Sequence, residues 1–326
     1  MRLLAIETSC DDTSIALLQD GCLITMITKN QHAHHAKYAG IVPEIASRQH
    51  SDCINTCIQT VLKTANWHLS ECDAIAVTYG PGLEGSLLVG VSVANTLGDI
   101  LSIPVIPVNH LHGHVYAAHM TDTPQFPALI LLVSGGHSLL ATWTDWFEFT
   151  LLGQTRDDAV GEAFDKVARL LDLGYPGGPE LDRLASTGQA IIPFPKGLHK
   201  NGLDFSYSGL KAAVYRQCQA AVPGSKADIA ASFQKAACDS LLDKVQIACE
   251  KTGINRVILC GGVSANTYLR TQLAASPLAS ILAPLAYCTD NAAMIGRAAY
   301  YAYRQSPERY TRSHRRPLAV APAVTL

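Results

Sequence analysis

The sequence has no long apolar segment, few charged residues and no strong excess of either charge. None of its apolar runs reaches the ~18 residues that a membrane-spanning helix needs. Charged residues make up 16% of the 326 positions and the formal net charge is −2, so a nucleic-acid contact would require a local basic patch. The apolar start of the chain is interrupted at Glu7 and does not have the pattern of a signal peptide. We therefore expect a cytoplasmic protein that does not enter a membrane.

Cysteine pairs and the common nucleotide-binding fingerprints are also missing. The chain has 10 cysteines, none in a Cys-x-x-Cys pair, which argues against a zinc ribbon or a disulfide framework and favours reduced, buried thiols. No glycine-rich stretch matches a Walker A loop or the dinucleotide-binding motif. These absences argue against a P-loop enzyme and against an NAD-dependent enzyme.

Instead, the sequence contains a repeated order of secondary structure. Each half predicts three short strands joined by turns, then a helix, a strand, a glycine turn and a second helix. This duplication predicts an α/β, actin-like (ASKHA) two-lobe fold with a central nucleotide/metal cleft. The lobes are expected at residues 1–126 and 127–290, with a final helix at about 291–326 packing back on the first lobe. A single doubly wound sheet is the alternative fold.

Two histidines at helical spacing give a candidate metal site. His110 and His114 follow a short apolar strand and lie one helical turn apart, so both rings can face the same point. Asp290, at the start of the predicted final helix, is a candidate third ligand, and two imidazoles with one carboxylate suit zinc or non-haem ferrous iron. Histidines bonded to the backbone are the structural alternative. A metalloprotease would need glutamate where the chain has Leu111.

Two glycine-rich turns are candidates for binding an anion. The run Leu132–His137 follows a strand, and its glycines let backbone N–H groups approach a phosphate or an acyl adenylate. The run Cys260–Asn266 opens a helix, where the helix dipole favours an anion or a ribose. Either run can equally be a tight turn without a ligand.

Three carboxylates lie where a nucleotide-binding fold would use them. Asp165 is on a predicted helix, although with Arg169 it could form an ordinary i,i+4 surface pair. Asp182 follows a rigid proline–glycine turn, a position suited to ribose hydroxyls but also to a solvated helix end. Asp11 is in the first hairpin turn, where it could accept a proton or simply stabilise the turn.

Basic and aromatic residues alternate near the end of the sequence. Such interleaving is typical of RNA contact, and equally of a solvated basic segment. The residues concerned are Tyr301, Tyr303, Arg304, Arg309, Tyr310, Arg312, Arg315 and Arg316.

Taken together, these features resemble the universal family of tRNA N6-adenosine threonylcarbamoyltransferases (TsaD type), once misnamed endopeptidases. The resemblance covers nearly the whole chain. The motifs that carry it are Ile6–Thr13, Gly40–Arg48, Gly80–Leu83, Leu88–Gly90, His110–His114, Leu132–His137, Gly161–Lys166, Tyr175–Pro179, Phe205–Lys211, Gly261–Asn266 and Cys288–Asn291.

The resemblance implies both a reaction and a site. The reaction transfers threonylcarbamoyl from threonylcarbamoyl-AMP to N6 of adenosine 37 in tRNAs that read ANN codons. His110, His114 and Asp290 would bind one divalent metal per subunit, with Fe²⁺ favoured and Zn²⁺ as the alternative. The residues implied to hold the adenylate are Leu132, Val133, Ser134, Gly135, Gly136, Asp165, Gly178, Asp182 and Asn266. Asp11 is the candidate for assisting proton removal.

The family also implies partners: the tRNA anticodon loop, an inactive paralogue of the same fold and a small P-loop ATPase. Two positions depart from its pattern, with His112 and Asp12 standing where glutamate is usual. His112 adds an alternative metal ligand. The rival functions are another actin-like enzyme, such as a sugar or acid kinase or a carbamoyltransferase, and a non-enzymatic paralogue. The paralogues lack the histidine pair and the aspartate that this chain keeps.

Overall fold

The computed structural model describes residues 1–38, 40–198, 202–220, 224–310 and 317–326. Within them the chain forms two compact units. Unit 1 comprises Met1–Pro124 and Thr289–Leu326, and unit 2 comprises Gln125–Cys288. Among the described helices, none is both long enough and apolar enough to span a bilayer.

Unit 1 is built on one five-stranded sheet with the order β3-β2-β1-β4-β5. Its strands are β1 (Arg2–Glu7), β2 (Asp12–Gln19), β3 (Cys22–Asn30), β4 (Ala74–Gly80) and β5 (Val105–Asn109). Its helices are α1 (His32–His35), α2 (Pro43–Ala65), α3 (Glu84–Leu101), α4 (His110–Ala117) and α10 (Ala292–Gln305). β1 pairs antiparallel with β2 and parallel with β4, so the sheet is mixed.

Helices on both faces explain why the central strands of unit 1 are apolar without alternation. In β1, the residues from Leu3 to Glu7 are buried, as expected for a strand covered on both sides. The helices α2 and α3 pack on the sheet with side chains such as Ile54 and Val91, and α10 packs on β1 and β2. The loops that follow β1 and β5 therefore emerge from a rigid, fully packed core.

Unit 2 repeats this architecture. Its strands are β6 (Ala128–Val133), β7 (Ser138–Asp145), β8 (Glu148–Gln154), β9 (Arg256–Cys260) and β10 (Ala279–Leu282). Its helices are α5 (Val160–Leu170), α6 (Gly177–Ala185), α7 (Ser208–Cys218), α8 (Lys226–Thr252) and α9 (Thr267–Ala275). The sheet has the order β10-β9-β6-β7-β8, with β6 antiparallel to β7 and parallel to β9.

The two sheets have the same topology when one order is read in reverse. The strand pairs β1/β2/β3 and β6/β7/β8 are both antiparallel meanders, and β4 and β9 both return parallel to the first strand of their unit. The predicted duplicated α/β fold is confirmed, and the single doubly wound sheet was the wrong alternative.

The end of the chain differs from the expected helix at 291–326. Helix α10 ends at Gln305, because Pro307 lacks the N–H that a continuing helix would need, and a short 3-10 turn follows at Pro307–Tyr310. Residues 317–326 contain no helix. Arg304 and Arg309 are exposed, whereas the arginines at 312, 315 and 316 lie outside the described residues.

Candidate metal centre and nucleotide-binding turns

Helix α4 presents two buried histidines from the end of a buried strand. Asn109 closes β5, and its side-chain Oδ1 accepts the N–H of Leu111, which starts the helix at His110. His110 and His114 lie one turn apart on the same face, with ring centroids 4.7 Å apart and an interplanar angle of 81°. Their side chains are 9% and 0% exposed, so a ligand between them would be shielded from water.

Asp290 reaches the same point from α10. Asn291 caps that helix by accepting the N–H of Met294, which leaves Asp290 just before the first turn. Its Oδ1 lies 3.4 Å from Nε2 of His110 and 3.2 Å from Nε2 of His114. Ligand atoms of the three residues lie within 4.8 Å of one another, and among the described residues this is the cluster of histidine, cysteine and acidic side chains that could hold a metal. His112 lies outside this group.

The chemistry of these three groups fits a divalent cation. Nε2 of His114 is buried and faces the Asp290 oxygen at 3.2 Å without a well-aligned hydrogen bond. A buried polar atom that lacks a good hydrogen bond is costly, and a metal ion between the two groups would satisfy it. Metal–ligand bonds of about 2.0–2.2 Å place neighbouring ligands roughly 3.0–3.5 Å apart, which matches the two spacings to Asp290. Two imidazoles and a carboxylate suit Zn²⁺ or Fe²⁺.

Glu7 fixes the orientation of the His110 ring by a contact to Nδ1. It is fully buried at the end of β1, and its Oε2 lies 3.1 Å from Nδ1 of His110. The same oxygen accepts the hydroxyl of Thr78 at 2.5 Å, and Oε1 accepts the N–H of Ser9 at 2.5 Å. A carboxylate accepts only, so Nδ1 of His110 carries the proton and Nε2 is left to face Asp290. Histidine ligands of metals are commonly oriented in this way.

The charges around the site favour an ionised Asp290 and a neutral His114. Burial opposes ionisation of Asp290, but His110 and His114 outweigh it and hold the pKa of the carboxyl well below its ordinary value. Burial lowers the pKa of His114. Burial also works against protonation of His110, yet Asp290 and Glu7 raise its pKa well above the usual value. Without a cation, His110 carries a second proton, on Nε2, that offsets these carboxylates, and a divalent cation would displace this proton and take over its role.

Asp11 lies in the turn between β1 and β2 and is partly exposed there. The preceding carbonyl, that of Cys10, accepts the hydroxyl of Ser86 at 3.1 Å and the Nε2–H of His50 at 2.9 Å, so the turn is anchored to α3 and α2. Burial raises the pKa of the neighbouring Asp12 to about 8, and Asp290 and Asp11 add to the shift. The turn therefore places the partly exposed Asp11 beside a carboxyl group whose pKa is raised by burial.

In unit 2, the first glycine turn is built by close backbone packing. Ser134 closes the turn by donating its N–H to the carbonyl of His137 at 2.7 Å. A Cβ on Gly161, at the start of α5, would lie 2.6 Å from the Ser134 carbonyl oxygen, so only glycine lets the helix approach. At Gly135 and Gly136 a Cβ would meet nothing within 4 Å. The turn therefore packs against Gly161 on one side and is open on the side where side chains of Gly135 and Gly136 would stand.

Asp165 and Gly178, both predicted to hold the adenylate, meet in the structure. The Asp165 Oδ1 accepts the N–H groups of Gly177 and Gly178, at 2.9 and 3.2 Å. Asp165 therefore fixes the start of α6. This contact is different from the i,i+4 pair with Arg169 that spacing alone suggested.

Asp182 and Asn266 also come together, although they are distant in sequence. Asn266 donates from Nδ2 to Asp182 Oδ1 at 3.2 Å and to Gln234 Oε1 at 3.0 Å, while its own Oδ1 caps α9. The second oxygen of Asp182 accepts the N–H and hydroxyl of Thr267, at 3.1 and 2.7 Å. This cluster anchors the second glycine turn, where Gly261 packs its backbone against the Val133 carbonyl.

Sequence reasoning did not single out the residues that support the predicted ligands. Glu7 and Thr78 hold His110, Gln234 and Thr267 hold the Asp182–Asn266 pair, and Asn109 caps α4. The sequence offered only one indication for Glu7 and Asn109: each is a polar residue at the end of an apolar strand. Gln234, inside a long helix, offered none.

Solved structures related to the chain establish the same fold. Component A of (R)-2-hydroxyglutaryl-CoA dehydratase from Acidaminococcus fermentans matches with a TM-score of 0.58 and 16% identity, over 94% of this chain and 99% of that one. Full-length HypF, solved in a phosphate- and nucleotide-bound form, matches with a TM-score of 0.63 and 14% identity, over 94% of this chain and 46% of that one. These neighbours have the actin-like fold and confirm the predicted fold class.

Sequence relatives identify the family. The family model TsaD, described as tRNA N6-adenosine threonylcarbamoyltransferase, matches residues 22–297. The enzyme of that name from Kosmotoga olearia is 47% identical over 306 residues, covering 92% of this chain and 93% of the relative. The one from Ligilactobacillus salivarius is 45% identical over 313 residues, covering 93% and 91%. The kinase and non-enzymatic alternatives are therefore set aside, and the chain belongs to the tRNA N6-adenosine threonylcarbamoyltransferase family, as an enzyme that forms N6-threonylcarbamoyladenosine in tRNA.

Proposed function

We propose that the chain transfers threonylcarbamoyl from threonylcarbamoyl-AMP to N6 of adenosine 37 in tRNAs that read ANN codons, using a divalent cation held by His110, His114 and Asp290. The observation that carries this proposal is the convergence of these three side chains, from α4 and the start of α10, on ligand atoms within 4.8 Å of one another. Fe²⁺ is the favoured metal and Zn²⁺ the alternative.

When bound, the cation would polarise a carbonyl or stabilise the departing phosphate as a Lewis acid. The chain's own residues supply the rest. The Leu132–Gly136 turn would receive the adenylate phosphate on its backbone, since no atom lies within 4 Å of the positions that side chains of Gly135 and Gly136 would occupy. Asp182 and Asn266, held together by their hydrogen bond, would face the nucleoside, and Asp165 would keep Gly178 in place beside it.

We assign proton removal to Asp11. The adenosine N6 attacks the carbamoyl carbon, the bond from that carbon to the phosphate oxygen breaks, and AMP leaves with the electron pair. The N6 proton passes to the Asp11 carboxylate. The partly exposed position of Asp11, in a turn anchored through the Cys10 carbonyl, supports this role. The target base must be unstacked, which an anticodon loop allows at lower cost than a duplex.

The inactive paralogue of the same fold, the small P-loop ATPase and the anticodon loop remain predicted partners, and the cytoplasmic location remains a prediction. Reconstitution tests the three partners together with the reaction. Protein, candidate partners, tRNA transcript, threonine, bicarbonate and ATP are combined, and threonylcarbamoyladenosine is measured in the digested tRNA. An inactive mixture that becomes active when a proven relative replaces this protein would refute the proposal.

The metal assignment needs its own measurement. Bound iron and zinc are determined in the wild type, in His114→Ala and in the matched control His34→Ala, which removes an exposed histidine of α1. We expect His114→Ala to lose the bound metal and His34→Ala to keep it. Equal metal content in all three proteins would remove His114 from the ligand set.

A further inference from the structure

Residues 317–326 form a segment that packs against the rest of unit 1. Near its start, Leu318 donates its N–H to Oδ1 of Asn95 at 3.1 Å, and its carbonyl accepts from Nδ2 of the same side chain at 3.0 Å. Leu318 and Val320 are partly buried against the core of unit 1. The segment is thus anchored to α3 by both polar and apolar contacts.

The middle of this segment lies on the end of β4. Ala321 donates its N–H to the carbonyl of Tyr79 at 2.8 Å, and the carbonyl of Pro322 accepts the N–H of Gly82 at 3.2 Å. At Gly80, a Cβ would lie 2.0 Å from the Ala321 carbonyl oxygen. The absence of a side chain at Gly80 is therefore what allows the segment to lie directly on the strand end.

The last part of the segment reaches Asn109, the residue that caps the histidine-bearing helix. Asn109 is 5% exposed, its Oδ1 accepts the N–H of Leu111 at 2.8 Å, and its Nδ2 donates to the carbonyl of Thr325 at 2.8 Å. A backbone N–H requires the oxygen and a carbonyl requires the nitrogen, so both partners select the same orientation of this amide. The Thr325 carbonyl thereby holds the cap in the position that α4 needs.

The start of α4 determines where its histidines point. The helix has only eight residues and His110 is the first, so the cap acts directly beside a ligand, together with the packing of α4 against α10. A shift of the start by one residue would turn each side chain by about 100° around the axis. We propose that Asn109 is a positioning residue for the metal centre and that the 317–326 segment acts through it, with the Thr325 carbonyl locking the cap. This inference rests on the proposed metal-dependent function.

A double-mutant cycle tests the coupling between the segment and the cap. Asn109→Ser keeps a good N-cap residue. The serine hydroxyl reaches one atom less far from the backbone than the asparagine amide, so it cannot bond Leu111 and Thr325 at the same time. Deleting residues 324–326 removes the carbonyl and leaves the contacts of Ala321 and Pro322. Affinity for Zn²⁺ is measured by competition with a chelator of known affinity, in the full chain, the two variants and their combination.

We expect each change to weaken metal binding about 10-fold, the typical effect of losing a residue that orients a ligand. The double variant should bind Zn²⁺ no more weakly than the weaker of the two single variants, because both changes remove the same hydrogen bond between Asn109 and Thr325. Asn95→Ser is the matched control: it loosens the segment at Leu318 and should bind metal as the wild type does. Unchanged affinity in Asn109→Ser, multiplying effects in the combination, or an equal loss in Asn95→Ser would each overturn the inference.

Amide hydrogen exchange of the metal-free proteins separates this inference from the proposed function. Faster exchange over residues 110–117 is expected in Asn109→Ser and in the deletion variant, and not in Asn95→Ser. If the wild type bound no metal, the proposed function would fail, while the exchange rates would still decide whether the segment holds α4. Unchanged exchange in the two variants would refute the positioning role in either case.

Discussion

The Glu7–His110 contact predicts how strongly a residue that touches no substrate controls the metal. Glu7→Gln preserves the size of the side chain but replaces one of its two acceptor oxygens by a donor. Both oxygens face donors in the structure, since Ser9 N–H points to Oε1, and His110 Nδ1 and the Thr78 hydroxyl lie at Oε2. Whichever way the amide is placed, its NH₂ group meets a position that needs an acceptor.

The least costly rearrangement moves the proton of His110. If the glutamine NH₂ faces Nδ1, the ring must accept there and carry its proton on Nε2, the atom 3.4 Å from Asp290. A protonated Nε2 cannot bind a cation, so metal binding must first reverse the tautomer. Substitutions of residues that orient a metal-bound histidine typically lower metal affinity 10- to 100-fold, or by about 1.4–2.7 kcal/mol.

A competition titration with a chelator measures this effect directly, and activity at limiting and saturating metal provides a second readout. We expect Glu7→Gln to need more metal for half-maximal activity. Glu250→Gln, an exposed glutamate on α8 that bonds Gln246, is the matched control and should behave as the wild type. If Glu7→Gln bound metal within twofold of the wild type, with an unchanged melting temperature, the tautomer argument would be wrong.

Three further predictions concern the turns and the cation. Gly161→Ala should destabilise the protein by about 1–3 kcal/mol, read as a lower melting temperature, because its Cβ would lie 2.6 Å from the Ser134 carbonyl oxygen; Gly209→Ala, with nothing nearby, is the control. Asp182→Asn should raise the KM for the acyl donor more than it lowers kcat, because an amide cannot accept all the bonds from Asn266 and Thr267; a fall in kcat at constant KM would contradict this. Chelation should abolish threonylcarbamoyladenosine formation and added Fe²⁺ or Zn²⁺ should restore it; activity in metal-free protein would exclude the cation from the reaction.

The order of most strands along the chain could be predicted because buried strands have recognisable apolar runs bounded by turn residues. Other elements could not, and β10 and α7 show why. β10 (Ala279–Leu282) has four residues, none of them fully buried, so its sequence has no clear strand pattern. Helix α7 (Ser208–Cys218) buries only Leu210 and Val214, which is too little for a helical apolar face to be recognised.

In the candidate site, contacts within one helix could be predicted from the local sequence pattern, whereas contacts between residues far apart in the sequence could not. The i,i+4 spacing of His110 and His114 predicts a shared face because a helix fixes it within one turn. Their convergence with Asp290 depends on α10 packing against α4, which no local pattern encodes. Asp290 was a candidate from its position at the start of the predicted final helix, and the resemblance to the family implied the complete set of three ligands. Glu7 and Asn109 could not be predicted, because a polar residue at a strand end is common and only the fold reveals its partner.

The predicted adenylate residues would act in two physically different ways. Asp165 and Asn266 make hydrogen bonds within the protein. Asp165 accepts the N–H groups of Gly177 and Gly178. Asn266 caps α9 and donates to Asp182. Gly135 instead has nothing within 4 Å of the position of a Cβ, so a ligand can approach it from that side. A side chain at Gly135 would therefore act by filling the space a ligand needs. Loss of Asp165 or Asn266 would act by releasing the backbone they hold, so such losses should be accompanied by lower stability as well as weaker binding.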